Sequence, residues 1–478
     1  MPLLTCDWRR PPTRFEHFWE HTVGSGHAPL SLRSDWQAQL ARCHRELGFR
    51  HVRFHGILSD LMGTLISHNE RLLYSFFNAD RYVDFLLDNG MRPFVELSFM
   101  PETLASGGKT VFRYQGNVTP PRDYRAWGTL IEKLVGHWVE RYGAREVGEW
   151  YFECWNEPNL HHFWTGTQAD YFELYRHTAK AVKGVDPGLR VGGPATAQNA
   201  WIPEFLDFCE REGLPADFVT THYYPTDAFG EIGADTETQL ANAPPNVMRD
   251  RASEAREQAR GRPLFYTEWN VSSNPRDSRH DQHFAAAFLT RILMGVQGLV
   301  DGYSFWTFSD IFEENYFPFA PFHGGFGLLN LHGVAKPAYR AFELLHRLGS
   351  ESLPVEGEHE TVAGWVVRKE RSVTALLINH APPRHEIHTE PVRIRLTGAP
   401  EPCGAYLERI DEDHANPWRV WVEMGEPDYI GENEVERLHA ASRLVQEPMA
   451  WKSDGDSLEL DVALPPQSVA AVTLEFGE

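Results

Sequence analysis

Two glutamates stand where short apolar segments of the sequence stop. Glu157 follows the aromatic-rich run 150–155, and Glu268 follows the apolar run 263–267. Runs of this length and composition predict buried strands. Two carboxylates at the ends of two strands can face one bond from opposite sides, one as proton donor and one as nucleophile. The pair therefore predicts the two catalytic carboxyls that hydrolysis of a glycosidic bond requires.

The two carboxyls must hold different charge states to do this chemistry. One has to stay protonated to donate to the leaving oxygen, and the other has to be ionised to attack. Their environments and their mutual repulsion can split their pKa values. Pro158 directly follows Glu157, and a following proline predicts extended backbone at Glu157 and the end of its strand.

The segments that must position these residues alternate between short apolar runs and longer amphipathic ones. Strands are predicted at 15–23, 49–55, 92–99, 150–156, 190–195, 218–224, 264–269 and 302–308. Helices are predicted at 35–47, 82–89, 124–142, 171–185, 202–212, 251–260, 282–297 and 337–348. Eight strand–helix units indicate an α/β fold, a closed (β/α)8 TIM barrel over residues 15–348.

A doubly wound sheet is the alternative for this alternation, and it commonly carries a glycine-rich phosphate turn. The run GSGHAP at 24–29 has proline where GxGxxG has its third glycine. No P-loop lysine occurs either, so nucleotide binding is not expected.

Beyond Gly349 the sequence becomes a series of short, turn-bounded β segments. They predict a C-terminal β-sandwich domain over residues 349–478, with one inserted helix at 432–444. We expect the N-terminal segment 1–14 to pair with this sandwich.

Composition excludes several classes of function. The 478 residues carry 45 basic and 67 acidic side chains, a net charge of −22, which disfavours nucleic acid and anionic membranes as partners. No apolar run reaches the roughly 18 residues of a membrane span. The five cysteines are scattered and residues 1–12 lack an apolar leader core, so a cytoplasmic location is expected. Neither HxH nor HExxH occurs, and we expect no metal and no cofactor.

Several motifs together resemble glycoside hydrolase family 39, a member of clan A. They are WNEP at 155–158, YTEWN at 266–270, FWEHTVGSGHA at 18–28, RFHGIL at 53–58, YFECWNEPNL at 151–160, HYY at 222–224, FWTFSDIFEE at 305–314 and HGGFGL at 323–328. The resemblance implies a retaining mechanism, with Glu157 as acid/base, Glu268 as nucleophile and Asn156 bound to the sugar 2-hydroxyl. Retention implies carboxyls about 5–5.5 Å apart.

Further residues are candidates for the sugar subsite in this barrel. His55, His222 and Tyr224 stand at predicted strand ends, and Tyr224 could also bind the nucleophile. Trp306 offers a flat face for stacking on a sugar. Glu313 or Glu314 could bind sugar hydroxyls, and Phe163 with Trp164 could face the leaving group.

The resemblance favours an exo-acting β-D-xylosidase that releases xylose from xylo-oligosaccharides. An α-L-iduronidase should carry Lys or Arg at the sugar subsite, and the predicted ends of strands six, seven and eight have none. An arabinosidase, a glucosidase or an inactive sugar-binding protein stays open. The segment 227–246 could complete the pocket and so decide specificity. The sequence does not indicate an oligomeric state.

Overall fold

The computed structural model describes residues 1–69, 71–227, 235–315 and 317–477. Eight parallel strands in this part of the chain close into a barrel, and each pairs with the next one along the chain. They are Thr22–His27, His51–His55, Arg92–Leu97, Tyr151–Cys154, Arg190–Ala197, Phe218–His222, Leu264–Trp269 and Gly302–Phe305. The pairing of Phe305 with Val23 closes the ring. The predicted TIM barrel is confirmed.

Helices surround the barrel and return the chain from each strand to the next. The main ones are Ser34–Leu47, Phe77–Asp88, Tyr124–Tyr142, Gln168–Val185, Ile202–Glu212, Val247–Gln258, His283–Val296 and Pro337–Arg347. Local chemistry fixes where some of them begin: the Asp123 carboxylate accepts the N–H of Arg125, and Thr167 forms a reciprocal capping box with Asp170. No helix among the described residues is long and apolar enough to cross a bilayer.

The first barrel strand begins at Thr22, later than the predicted 15–23. The apolar residues ahead of it serve a different contact, because Phe15 packs edge-on against Trp365 of the second domain at 4.9 Å. Residues Phe18–Glu20 form a 3-10 turn instead of a strand. Apolar character there reflects packing between the domains rather than strand pairing.

Aromatic rings seal the barrel where its strands begin. Phe94, Tyr151, Phe218 and Phe265 pack against one another with ring centres 4.9–5.9 Å apart. All four lie in the first half of their strands. The apolar floor leaves the opposite, carboxyl ends of the strands for polar groups, where barrels carry their sites.

The second domain consists of two packed sheets. One contains, in order, Val355–Glu356, Leu3–Asp7, Glu390–Thr397, Ser457–Leu464 and Lys452–Asp454. The other contains Thr13–Arg14, Glu351–Leu353, Val362–Lys369, Ser372–Asn379, Ser468–Phe476, Pro402–Ile410 and Glu447–Pro448. The N-terminal segment thus contributes a strand to each sheet.

The sandwich carries two helices in its inserted segment rather than the single one expected at 432–444. They are Pro417–Glu423 and Glu432–Ala441. The first is only two turns long, with a proline in its first turn and buried Trp421 facing Phe322 of the barrel at 5.6 Å. Trp421 also belongs to an apolar cluster with Val334 and Leu438. A helix this short depends on such tertiary packing and leaves little periodicity to detect in sequence.

A polar cluster joins the base of the barrel to the sandwich. The Glu20 Oε1 lies 2.7 Å from His17 Nδ1 and 2.8 Å from His346 Nδ1. The other ring nitrogen of His17 lies 3.1 Å from the carbonyl oxygen of Gly349, where the chain leaves the barrel. The cluster connects the start of the first strand, the last helix and the domain junction.

Candidate active site

The two glutamates singled out in the sequence face each other at the carboxyl ends of the strands. Glu268 lies in strand Leu264–Trp269, and Glu157 lies just beyond Tyr151–Cys154. One carboxylate oxygen of each lies within 4.8 Å of the other. Glu157 is 7% exposed and Glu268 is 6% exposed. Both carboxyls are thus largely removed from water, where their charges affect each other strongly.

The backbone at Glu157 is not extended, contrary to the expectation from Pro158. Its φ is 43°, in the left-handed region, and Trp155 two residues earlier has φ 68°. The Glu157 N–H donates to the carbonyl oxygen of Ala195 at 2.7 Å, and its carbonyl accepts from Leu160 at 2.9 Å. These bonds hold a strained turn that directs the carboxyl at the barrel axis, and strain of this kind concentrates at functional sites.

Glu268 is surrounded by hydrogen-bond donors. Arg53 Nη1 donates to Oε1 at 2.7 Å, and the Tyr224 hydroxyl donates to Oε2 at 3.0 Å. His55 Nε2 lies 3.6 Å from Oε1. Burial raises the pKa of Glu268, and the charge of Arg53 opposes this rise. Two donors to the ionised form suit a carboxylate that acts as nucleophile.

Among the described residues, no such cation is in direct contact with Glu157. Its Oε1 lies 2.9 Å from His222 Nδ1. Burial, followed by the charge of Glu268, raises the pKa of Glu157 well above its ordinary range, and the more distant Arg53 only partly opposes this. The environments therefore split the pair: Glu157 holds a proton under conditions in which Glu268 is ionised.

Arg53 is the cation beneath the site, and its guanidinium is fully buried. Its Nε lies 2.6 Å from Glu153 Oε2, and its Nη2 lies 2.9 Å from Glu96 Oε2. Nη2 also donates to Asn156 Oδ1 at 3.0 Å. Because the amide oxygen of Asn156 is engaged in this way, its NH2 group is left to donate to a ligand in the cleft.

His55 connects this buried cluster to the cleft. Its Nδ1 lies 2.5 Å from Glu96 Oε2, and its Nε2 lies 3.7 Å from Glu314 Oε1. Burial lowers the pKa of His55 to about 3, so the ring is neutral. Burial raises the pKa of Glu96 to about 7, and Ser98 also bonds its carboxyl.

A cleft of about 1030 Å³ opens above the two carboxyls. Eight of the residues predicted for the site line it: His55, Asn156, Glu157, Phe163, Tyr224, Glu268, Trp306 and Glu314. His222 does not line the cleft, because it lies fully buried beside Glu157. Its contact with the site is with a catalytic candidate rather than with a ligand.

Glu313 and Glu314 lie on different sides of their loop. Glu314 lines the cleft, whereas Glu313 lines a neighbouring cavity of about 510 Å³. There Glu313 Oε1 lies 3.4 Å from Arg33 Nη1. Of the two glutamates predicted as alternative sugar ligands, Glu314 is the one that faces the cleft, and Glu313 faces Arg33 instead.

The loop that carries Glu314 is fastened by a buried ion triad. Lys336 Nζ lies 2.6 Å from both Asp281 Oδ1 and Asp310 Oδ2, and all three side chains are at most 1% exposed. Lys336 also donates to the carbonyl oxygen of Gly325 at 2.9 Å. The triad ties the start and the middle of the loop to the base of helix Pro337–Arg347.

Aromatic rings form two walls of the cleft. Trp306 packs against the His55 ring with centres 4.7 Å apart, and a β-carbon on Gly24 would collide with its indole. Opposite, Phe163 meets Phe112 edge-to-face at 5.5 Å. Trp164, expected beside Phe163, instead packs against Trp155 and donates to the carbonyl of Thr167.

Two arginines reach the cleft from the loop after the seventh strand, Arg276 and Arg279. They lie several residues beyond the end of that strand at Trp269, so the residues at the strand ends do not reveal them. Arg279 is bound to Glu237 and to Asp277, so its charge is matched within the protein. Of the segment 227–246, residues 228–234 lie outside the described part, and Asp227 and four residues of 235–239 line the cleft.

Glu96 and Glu153 are parts of the site that sequence reasoning missed. Each is a fully buried charged residue in a strand whose other buried residues are apolar, Arg92–Leu97 and Tyr151–Cys154, respectively. Buried acids are rare unless paired, and Arg53 sits in a third barrel strand. Three charged residues in three barrel strands could have indicated a buried ion cluster.

Two groups of donors in the described residues could hold a metal ion: Glu157, His222 and Glu268, and His17, Glu20 and His346. In the first group Glu157 and His222 already contact each other at 2.9 Å, and Arg53 occupies one oxygen of Glu268. A cation beside Arg53 would meet like charge, so this site fits a metal poorly.

Comparisons with known proteins agree with the function that the geometry of the site indicates. The family model for "Glycosyl hydrolases family 39" matches residues 3–458. A beta-xylosidase of Caldicellulosiruptor saccharolyticus is 47% identical over 99% of this chain and 98% of its own. A beta-xylosidase of Geobacillus stearothermophilus is 38% identical over 97% of this chain and 93% of its own. The crystal structure of a monomeric beta-xylosidase from Caulobacter crescentus CB15 is 35% identical, covers both chains completely and superposes with a TM-score of 0.90.

Proposed function

This chain belongs to glycosyl hydrolases family 39, and on that premise we propose that it is a retaining, exo-acting β-D-xylosidase. It would release xylose from the non-reducing ends of xylo-oligosaccharides. The observation that carries the proposal is the pair Glu157 and Glu268, which face each other within 4.8 Å in environments that favour opposite charge states.

In the first step Glu157 gives its proton to the oxygen of the leaving sugar while Glu268 attacks the anomeric carbon. The bond to the leaving oxygen breaks, and an ester forms between the sugar and Glu268. Arg53 and Tyr224 hold the two oxygens of Glu268 in place through bonds of 2.7 and 3.0 Å. This fixed orientation reduces the entropy that the attack would otherwise lose.

In the second step Glu157, now ionised, takes a proton from water, and the water oxygen displaces Glu268. The sugar leaves with its original configuration. Inverting enzymes keep their carboxyls about 6.5–9.5 Å apart to hold a water between them. The 4.8 Å limit between the carboxyl oxygens supports the shorter, retaining arrangement.

A neutral sugar suits the subsite better than an acidic one. Glu314 is buried at the cleft, and burial followed by the charges of Glu268 and Glu157 raises its pKa well above the ordinary range. A sugar carboxylate would add another negative charge beside these groups. Alpha-L-iduronidase of Mus musculus is a more distant relative, 23% identical over 94% of this chain and 76% of its own. The geometry therefore favours the xyloside over an iduronide.

Initial rates on nitrophenyl glycosides test the specificity. The panel contains β-D-xylopyranoside, α-L-arabinosides, β-D-glucoside and α-L-iduronide. Dominant turnover of the xyloside is expected. A preference for another glycoside would keep the two-carboxylate mechanism and refute the specificity, and tight xylobiose binding without turnover would indicate a sugar-binding protein.

The roles of the two carboxyls are tested by azide rescue. In Glu157→Ala the nucleophile is intact, so azide should attack the glycosyl-enzyme and give the β-glycosyl azide. In Glu268→Ala azide should replace the nucleophile and give the α-glycosyl azide. The same anomer from both variants, or no azide product from either, would contradict the assignment.

We also propose that the enzyme acts in the cytoplasm on imported oligosaccharides. All five cysteines are unpaired, and four of them are buried thiols, which is typical of a reducing compartment. Fractionation of the native host should place the activity with cytoplasmic markers, and activity in the medium or the periplasm would contradict this.

A further inference from the structure

A line of hydrogen bonds runs from Glu157 into the barrel and ends at a buried ion pair. Glu157 Oε1 lies 2.9 Å from His222 Nδ1, and His222 Nε2 lies 3.1 Å from Thr267 Oγ1. The Thr267 hydroxyl lies 2.9 Å from Glu153 Oε1, whose other oxygen accepts from Arg53 Nε at 2.6 Å. Four barrel strands contribute to this line, and nothing in the proposed reaction uses its inner half.

The position of each hydrogen in this line can be assigned in order, from Glu153 at the inner end to Glu157 at the cleft. Burial raises the pKa of Glu153, but the Arg53 cation opposes this rise, and the Thr267 hydroxyl donates to the Glu153 oxygen that Arg53 Nε leaves open. The hydroxyl of Thr267 has a single hydrogen, and Glu153 takes it. Thr267 can then only accept from His222, which requires the hydrogen of that ring to sit on Nε2. His222 Nδ1 is therefore left with a bare lone pair.

The bare lone pair points at Glu157. A carboxylate oxygen 2.9 Å from an unprotonated nitrogen would bring two lone pairs together, whereas a protonated carboxyl makes a good hydrogen bond at that distance. Protonation of the ring itself is opposed, because burial and then the charge of Arg53 lower the pKa of His222 well below its ordinary value. The proton of the pair is thus held by Glu157.

We propose that Thr267 and Glu153 are positioning residues which act through His222 to hold the catalytic proton on Glu157 until the leaving group takes it. The role of Glu157 rests on the proposed function, whereas the hydrogen positions do not. When Glu157 gives up its proton, its carboxylate faces the lone pair of Nδ1 and is correspondingly basic. It then recovers a proton from the incoming water, so one tautomer serves both steps.

Other charged groups also face Glu157 and contribute to its titration. They come from every neighbouring element: Arg53, Glu96, Glu268, Asp227, Tyr224 and Glu314. A substitution at Thr267 leaves all of these in place. Its effect on the titration of Glu157 therefore reports the hydrogen-bond line alone.

Thr267→Val removes the acceptor for His222 Nε2 with almost no change of volume. The ring should then shift its hydrogen to Nδ1 and donate to an ionised Glu157, which lowers the pKa of Glu157. The alkaline limb of kcat/KM for xylobiose should move to lower pH by about one pH unit or more, and activity just above that limb should fall about ten-fold. A dinitrophenyl xyloside, whose leaving group needs little protonation, should show a much smaller effect.

Two variants serve as controls for this experiment. Thr267→Ser keeps a hydroxyl and should restore the wild-type limb. Thr221→Val removes a buried hydroxyl on the neighbouring strand that donates to the carbonyl of Thr196 at 2.8 Å and lies outside the line; it should leave the limb unchanged. An unmoved limb in a folded Thr267→Val, or an equal movement in Thr221→Val, would overturn the proposal.

A second measurement reads the tautomer without any turnover. In protein labelled with 15N-histidine, the His222 signal is identified by its loss in His222→Gln. Wild type should show the hydrogen on Nε2, and Thr267→Val should show it on Nδ1. If Thr267→Val does not fold, Glu153→Gln is read in the same way. Nδ1–H in the wild type would refute the line, even if the enzyme proved inactive on xylosides.

Discussion

Arg53 offers the sharpest test of how the nucleophile is kept ionised. Its guanidinium lies 2.7 Å from Glu268 Oε1 in a fully buried setting. Charges about 4 Å apart attract by about 4 kcal/mol at an effective dielectric of about 20. Since about 1.4 kcal/mol corresponds to one pH unit, loss of Arg53 should raise the pKa of Glu268 by at most about three pH units.

The shift should be smaller than this limit because neighbouring acids respond. Glu96, whose pKa burial raises to about 7, and Glu153 also lose their cation and should take up protons. Their neutralisation relieves repulsion on Glu268. We therefore expect Arg53→Met to move the acid limb of kcat/KM to higher pH by about one to three pH units. Activity at pH 5 should fall about 10- to 1000-fold and recover in part as the pH rises.

The assay is the pH profile of dinitrophenyl xyloside hydrolysis, because this substrate depends on the nucleophile rather than on the acid. Loss of a buried ion-pair partner costs about 3–5 kcal/mol of stability, so rates are read below the measured unfolding temperature. Arg53→Lys keeps the charge and should keep the limb near its wild-type position. Arg92→Met removes a partly exposed pair with Glu146 and should leave the profile unchanged. A folded Arg53→Met with the wild-type acid limb would refute the reasoning.

Three further substitutions test other buried charges. In the folded state Glu96 keeps a proton that the unfolded chain releases above its ordinary pKa of 4.5, so the stability of the wild type falls as the pH rises from 4.5 to about 7. In urea melts, the free energy of unfolding of Glu96→Gln should therefore rise by about 3 kcal/mol relative to that of the wild type between pH 5 and 8. A difference between the two proteins that does not change with pH would contradict this. Lys336→Met leaves two buried carboxylates without their cation, so it should lose about 3–5 kcal/mol of free energy of unfolding and show a raised KM. Lys452→Met, at an exposed position, is the control. Equal unfolding of the two variants in urea would exclude a stabilising role for the triad. For Glu20, burial alone would raise the pKa, but the two histidines at the barrel base outweigh it and leave the pKa lowered. The stabilisation that Glu20 contributes is therefore present above the pKa of this residue in the unfolded chain and is lost on acidification. Glu20→Gln should lower the free energy of unfolding at pH 7 but not at pH 3.

The barrel could be read from the sequence because each of its strand–helix units has its own periodicity and its own stop signal. The catalytic candidates were readable for the same reason, since strand ends in a barrel converge on one place. WNEP placed Glu157 and YTEWN placed Glu268 without any knowledge of their separation. These are local patterns combined with one topological rule.

Features set by tertiary contacts were not readable. The direction of Glu313 depends on Arg33, which lies far away in the chain, and the left-handed backbone of Glu157 depends on a bond to Ala195. The two arginines of the cleft lie in an irregular loop, where sequence position gives no direction. Tertiary context also decided that residues 15–20 pack between domains although their composition resembles a strand.

The strand Leu3–Asp7 has a consequence for how the molecule is made. It lies between Val355–Glu356 and Glu390–Thr397, so both of its partners leave the ribosome only after the whole barrel. At about 5–20 residues per second, the barrel takes about 15 to 65 seconds to synthesise. Throughout that interval the strand has two unpaired edges, which are open to pairing with other chains. Pairing this distant in sequence also slows folding. The sandwich is therefore the last unit that can be completed, and until then this strand is an edge at which nascent chains can aggregate.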